Sequence, residues 1–238
     1  MGIFNFKQFS VDDSHCGMKI GTDAVLLGAW ADVSFAREII DVGCGSGVIA
    51  LMMAQRHNEG RIHAVDVSHD ACLDAVVNAG RSPWADRVEV MEADITKSFP
   101  SVGHPLLIIS NPPFFNEKLR SPDAGRALAR HGDEFTVKEL IEISAANMRM
   151  ESDSLAFIAP TSRTDEIDFL LSLNRLSPRR ICTVYSREGK ASIRTLWQVG
   201  PDGANAPRMK KEELYIRNSD NSFTKAYIDL TSEFYLDK

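Results

Sequence analysis

Apolar and polar positions along this chain fall into two periods that take turns. Ile39, Ile40 and Val42 make a short apolar run that ends in a glycine cluster, and Val48 to His57 that follow have helical spacing. Arg61 to Val67 then read as a second strand, His69 to Gly80 as a helix closed by Gly80, Val88 to Asp94 as a third strand and Pro105 to Asn111 as a fourth. A helix is expected over Val137 to Met150, because Thr136 and Glu139 have the spacing of a capping box; Asp153 to Pro160 follow as a fifth strand, and Ser162 with Asp165 open the next helix in a similar way. Beyond Leu176 the rhythm changes. Arg179–Ser186 and Ser192–Gly200 are separated only by Arg187–Ala191, which specifies a hairpin, and Glu213–Asn218 are a candidate edge strand. Short buried strands joined by helices imply parallel pairing with right-handed crossovers, so the expected fold is α/β: a seven-stranded mixed sheet with helices on both faces and an antiparallel hairpin at its C-terminal end.

Composition narrows the class without changing that outline. Apolar residues make up 44% and charged residues 25% of 238 residues, ordinary values for a globular enzyme. No apolar run approaches the roughly 18 residues of a membrane span, and the N-terminus lacks the apolar core of a secretory signal. Gly2 suggests no myristoylation, since Phe6 stands where that motif needs Ser or Thr. Cys16, Cys44, Cys72 and Cys182 are scattered, with no C-x-x-C pair, so neither a metal site nor a disulfide framework is expected and a reducing cytoplasm fits. The net charge of −6 excludes indiscriminate nucleic-acid binding. It is unevenly spread: Arg175 to Arg217 contain ten Lys and Arg against four Asp and Glu, a local +6 that leaves −12 elsewhere.

Chemistry concentrates at the strand ends. Gly43, Gly45 and Gly47 directly after the first apolar run let a ligand lie against bare backbone beside the free N–H groups of the next helix. Asp66 ends the following strand, where a carboxylate can hold ribose hydroxyls. An adenosine-containing cofactor follows. The dinucleotide pattern G-x-G-x-x-G fails at Val48, which weakens a dehydrogenase reading. Asp41, just before the glycines, is placed to meet a cationic amino group, which S-adenosylmethionine carries and NAD lacks. Asp94 ends the third strand and either accepts from an adenine amino group or caps its own turn. In an open α/β sheet, Asp41, Asp66, Asp94 and Asn111 converge on one crevice.

The fourth strand runs into Asn111, Pro112, Pro113, Phe114 and Phe115. An amino group on an aromatic base is a poor nucleophile because its lone pair is delocalised into the ring. The Asn111 side-chain oxygen and the Pro112 carbonyl can each accept one of its N–H bonds and aim the lone pair at an electrophile. Proline rigidity preorganises both acceptors, and Phe114 can stack on a flipped base. The irregular stretch Asn111–Glu134 is long for a connection, as functional loops often are.

These residues resemble the class I S-adenosylmethionine-dependent methyltransferases of Rossmann-like fold, and the NPPF sequence resembles the motif of members that methylate planar nitrogens in adenine, guanine or glutamine. The resemblance covers nearly all of the chain from Phe4 on. Phe6–Phe9 (FKQF), Met18–Asp23 (MKIGTD) and Ser232–Leu236 (SEFYL) closely resemble the bacterial valine-tRNA adenine-N6 methyltransferases, which act on the purine 3′ of the anticodon. The resemblance implies that Thr22 and Asp23 help bind the methionine end of S-adenosylmethionine; read alone, they are an N-cap and a first-turn acid. It implies one domain over 1–238, with 1–37 a cap and hairpin segment and 38–238 the catalytic core, acting as a cytoplasmic monomer on the anticodon stem-loop of tRNA.

Only about forty residues precede the first core strand, too few for the extra helical domain that release-factor enzymes of this class carry. Neither a DNA target-recognition domain nor a second guanine-N2-type domain has room. Arg179, Arg180, Arg187, Lys190 and Arg194 form a candidate basic rim for RNA, with Lys118, Arg120, Arg126, Arg130 and His131 on the long loop. A guanine-N2 ribosomal RNA enzyme, a protein glutamine methyltransferase and a non-catalytic RNA-binding module are the alternatives.

Overall fold

A computed structural model describes residues 2–113, 135–203 and 208–236. An N-terminal hairpin of β1 (Ile3–Asn5) and β2 (Ser10–Asp12) precedes helix α1 (Thr22–Trp30). Alternating units follow: β3 (Glu38–Val42), α2 (Val48–Arg56), β4 (Arg61–Asp66), α3 (His69–Arg81), β5 (Val88–Glu92) and β6 (Leu106–Ser110). Next come α4 (Val137–Asn147), β7 (Ser154–Pro160), a 3-10 turn at Thr161–Arg163, α5 (Thr164–Leu173), the strands β8 (Leu176–Arg187), β9 (Ser192–Pro201) and β10 (Lys210–Arg217), and α6 (Lys225–Thr231).

The sheet runs β10-β8-β9-β7-β6-β3-β4-β5, and β9 alone runs against its neighbours. It has eight strands where seven were expected, because the Glu213–Asn218 candidate belongs to a full strand, β10, that pairs in parallel with β8. The expected α/β class holds. Residues alternate between two cores. Ile39, Ile62, Leu107, Ile109 and Val184 pack with α1, α2 and α3 on one face, while Ile40, Val65, Leu106, Ile108 and Trp197 pack with α4 and α5 on the other. Chain order reverses between β3 and β6, which are parallel neighbours. The crevice beyond their carboxyl ends is where an open α/β sheet takes its ligands.

Three of the helix-end signals differ from the observed boundaries. Gly80 lies inside α3, which closes at Ser82. Ser162 sits in the 3-10 turn, and α5 starts from Arg163 with no side-chain cap. The Val137 helix ends at Asn147, short of Met150, while its capping box is present, with Thr136 accepting from Glu139 N–H and the Glu139 carboxylate accepting from Thr136 N–H.

The start of β6 is anchored by Asp153, whose side chain is fully buried. Its carboxylate accepts from the backbone N–H groups of Leu106 (2.8 Å), Arg149 (2.7 Å) and Met150 (2.9 Å) and pairs with His104 at 2.8 Å. Burial opposes ionisation, but these donors outweigh it and hold the carboxyl below its ordinary range. Asp153→Ala strands three donors and is expected to cost about 3 kcal/mol in urea denaturation. A wild-type stability that does not drop as the pH falls below the normal carboxylate range would contradict the depressed pKa.

Candidate active site at the carboxyl edge

Beyond β3 the chain turns through Gly43, Gly45 and Gly47, all at positive φ (68°, 55° and 80°), which side chains with a Cβ rarely adopt. The N–H groups of Gly43 and Cys44 both donate to Val65 O, at 2.8 and 3.1 Å, tying the loop to the end of β4. A Cβ added to Gly43 meets nothing within 4 Å, so open space lies over that backbone. Gly47 serves packing instead: a Cβ there comes within 3.3 Å of Ala75 Cβ on α3.

Asp66 at the end of β4 orders the same loop. Its Oδ2 accepts from Gly45 N–H and its Oδ1 from Ser68 N–H, each at 2.9 Å. Asp41 is fully buried; its Oδ2 accepts from Ala50 N–H in the first turn of α2 at 2.9 Å, and its Oδ1 is a buried atom with no hydrogen-bond partner among the described residues. Burial pushes this carboxyl up to about 7, against the Ala50 N–H that favours its charge, and the nearby Asp66 adds to the rise. Asp94 is differently committed. Its Oδ1 accepts from Thr96 N–H at 3.0 Å, its Oδ2 meets Lys97 Nζ at 2.8 Å, and Lys97 with Thr96 holds the carboxyl down to about 2. The turn-capping role is therefore the one its contacts express.

Asn111 leaves the sheet between β3 and β7. Ser110 Oγ donates to Val42 O at 2.7 Å, which fixes the end of β6 against the end of β3. Asn111 itself is half-buried, yet its Oδ1 is buried and has no hydrogen-bond donor among the described residues; Pro112 is buried too. Phe114 lies outside the described residues, as do Phe115, Lys118, Arg120, Arg126, Arg130 and His131. Among the described residues no group of His, Cys, Asp or Glu is arranged to hold a metal ion.

The N-terminal segment reaches this edge. Helix α1 takes Gly21 as its N-cap, so Thr22 is the first helical residue and not the cap. Asp23 is bound by Arg194 (Nε to Oδ2, 2.7 Å), so one member of the candidate basic rim is neutralised beside the site. Arg180 is likewise paired, with Glu212 at 2.9 Å, and stacks 4.4 Å above Trp30. Two polar residues of α3 escaped the sequence reading. Asn78, 1% exposed, donates to Ser46 O (2.9 Å) and Asp12 O (2.8 Å) and accepts from Asp12 N–H (2.9 Å). Asp74 accepts from His15 N–H and Cys16 N–H at 2.9 and 2.8 Å. Together they strap residues 12–16 to the glycine loop. Their signal was a polar residue at each of two positions on the apolar stripe of Ala71, Ala75 and Ala79.

Comparison with known proteins gives consistent matches. The family model described as "Methyltransferase small domain" matches residues 14–140. The chain is 38% identical over 234 residues to the Tolumonas auensis protein named tRNA1(Val) (adenine(37)-N6)-methyltransferase, covering 98% of this chain and 96% of that one. A protein of the same name from Phocaeicola vulgatus is 40% identical over 235 residues, covering 98% and 97%. Among solved structures, a predicted O-methyltransferase from Agrobacterium tumefaciens superposes with a TM-score of 0.64 at 20% identity over 89% of this chain and 96% of that one, a likeness of fold.

The raised Asp41 carboxyl binds a proton more tightly folded than unfolded. Ligand-free stability should therefore fall as pH climbs from the ordinary carboxylate range to about 7, and Asp41→Asn should flatten that slope in urea titrations at several pH values. Parallel pH profiles for the two proteins would refute the assignment.

Proposed function

The chain belongs to the family of the tRNA1(Val) (adenine(37)-N6)-methyltransferases, and we propose that it transfers a methyl group from S-adenosylmethionine to the N6 amine of adenine in tRNA, at the purine 3′ of the valine anticodon. The observation that carries the mechanism is the Asn111 side-chain oxygen, buried and without a partner among the described residues at the tip of β6.

The cofactor assignment is supported by three features of the carboxyl edge. The backbone at Gly43 has open space over it, and α2 begins directly after the glycine loop with Gly47 as its N-cap, so its first N–H groups lie at the end of that loop. The Asp66 oxygens each use one lone pair on a backbone N–H, which leaves a second for ribose hydroxyls. Asp41 Oδ1 lacks a partner among the described residues, as an acceptor awaiting a cationic amino group does, and we assign Thr22 and Asp23 to the same methionine end. Asp94, already engaged by Thr96 and Lys97, is the least supported of the cofactor contacts.

S-adenosylmethionine supplies an electrophilic methyl group on a sulfonium whose leaving group is a neutral thioether. The protein's part is to present the amine. Asn111 Oδ1 and the Pro112 carbonyl each accept one N–H of the adenine amine, which draws the nitrogen toward a tetrahedral shape and turns its lone pair to the methyl. No reorganisation is needed at the moment of transfer, because the strand end and the two prolines already fix both oxygens. We assign Phe114 to stacking on the base. No described helix is long and apolar enough to cross a membrane, and the reading as a tRNA enzyme puts the protein in the cytoplasm.

Asn111→Ala is expected to slow methyl transfer roughly a hundredfold or more while leaving S-adenosylmethionine affinity nearly unchanged, measured by single-turnover kinetics and calorimetry. Asp66→Ala should do the reverse and weaken cofactor binding. The substrate is tested by incubating unmodified total tRNA with enzyme and tritiated cofactor and analysing the nucleosides. N6-methyladenosine is the expected product. Label in N2-methylguanosine or in polypeptide would transfer the assignment to the guanine or glutamine enzymes.

A further inference from the structure

The reacting corner can hold one base, but a tRNA enzyme must also hold the rest of its substrate, and the far end of the sheet bears features that fit that task. Tyr185 on β8 and Tyr215 on β10 are directly paired in the parallel register. Their rings stack with centroids 4.6 Å apart at 11°, and both hydroxyls donate to the Glu213 carboxylate at 3.3 Å. The residues just before them, Val184 and Leu214, are buried in the core on the α1 side, so strand alternation turns the tyrosines to the opposite face, where both are half-exposed. A cross-strand aromatic pair stabilises the sheet in its own right, and here it also leaves ordered, half-exposed ring surface on which a base or ribose can stack.

Position and charge favour nucleic acid as the occupant. Register runs level from Ser110 through Phe157 and Trp197 to Ile181, so Tyr185 lies three strands from β6 and four residues further toward the carboxyl edge. Ordinary strand spacing and rise make that about 20 Å from the Asn111 corner. This exceeds the reach of one flipped nucleotide and suits a stem or loop attached to it. Arg187 follows Tyr185, and Lys190 projects from the exposed turn after it; neither forms a salt bridge among the described residues, unlike Arg180 and Arg194. They belong to the stretch of +6 in a chain that is otherwise −12. A second copy of the chain pairing along β10 is disfavoured by the exposed Lys210 and Lys211 at that edge, where like charges would meet.

We propose that Tyr185 and Tyr215, with Arg187 and Lys190, form a docking platform for the substrate RNA, the rings stacking on an unpaired base or ribose and the cations meeting phosphates. The proposal rests on the reading of the chain as a tRNA methyltransferase. Stacking is sequence-tolerant, so the platform holds the RNA and leaves the choice of base to the Asn111 corner. It touches no reacting atom, and its loss should appear in RNA affinity and not in chemistry.

The test measures tRNA binding by fluorescence anisotropy and steady-state methylation for Tyr185→Ala/Tyr215→Ala and for Arg187→Glu/Lys190→Glu, with Tyr185→Phe/Tyr215→Phe as the control that keeps the rings. Each of the first two variants should raise tRNA KM and Kd about tenfold or more, with kcat and S-adenosylmethionine affinity retained; intact cofactor binding also shows that they fold. The charge variant should in addition flatten the salt dependence of binding, and the Phe control should match wild type. Unchanged tRNA affinity in the alanine variant, or equal loss in the Phe control, overturns the platform while leaving the enzymatic reading intact. A wild-type protein that neither binds nor methylates tRNA sinks that reading and the platform with it. Dimerisation of wild type that is abolished by the alanine variant assigns the face to a second copy and refutes an RNA role.

Discussion

An amide oxygen that is buried without a donor costs about 1–3 kcal/mol relative to one that is satisfied, and among the described residues Asn111 Oδ1 has no donor. The rest of the architecture can be understood as what holds it there. Leu106 to Ile109 are at most 1% exposed, in a strand with parallel neighbours on both sides, so β6 has no freedom to retract. Asp153 fixes its first residue and Ser110 its last. Pro112, buried immediately beyond, has a fixed φ and no N–H of its own to offer the oxygen. Hydrophobic burial over the length of the strand outweighs one unsatisfied acceptor, and in the proposed mechanism a ligand N–H would supply the missing donor.

The same division between a secured side and an open side recurs in the acids. Asp41 and Asp66 both spend lone pairs on backbone N–H groups that define the glycine loop, and both retain capacity to accept more. Asp94 retains less, since Lys97 neutralises it directly. Three carboxylates at the ends of three adjacent strands thus differ in readiness for a ligand. Backbone position alone does not distinguish them; their neighbours do.

Much of this was legible in the sequence for physical reasons. Strand-end acids and alternating glycines are local features, and period changes between strand and helix need only neighbouring residues to be recognised. The eighth strand was visible only in part, because a strand at the sheet edge buries one face at most: Leu214 is buried while Lys210, Lys211 and Glu213 are exposed, which leaves a weak signal. Thr22 was read as a cap because threonine is a good one, but Gly21 takes the position with a backbone carbonyl and no side chain. The roles of Asn78, Asp74 and Asp153 depend on partners 66, 59 and 47 residues away, and no local window contains them. Phe114, the candidate for stacking on the base, lies outside the described residues, so its part of the site rests on the sequence.

The basic stretch shows why a charge count alone misassigns surfaces. Arg194 is consumed by Asp23 and Arg180 by Glu212, and both pairs, with Gln198 bonded to Asp32 N–H and O, fasten α1 to the β8–β9–β10 edge. These cations therefore join the segment nearest the cofactor crevice to the hairpin. They are structural clamps first, and what they leave to RNA is the field of the unpaired remainder. In a protein of net −6, such a remainder matters because the acidic body repels phosphate everywhere else. Repulsion over most of the surface and attraction at one edge favour a single approach for a polyanion, with its loop toward the carboxyl edge of the sheet. Under the proposed function, orientation would then be set before any base is flipped, and the corner at Asn111 would have only to accept an amine delivered to it.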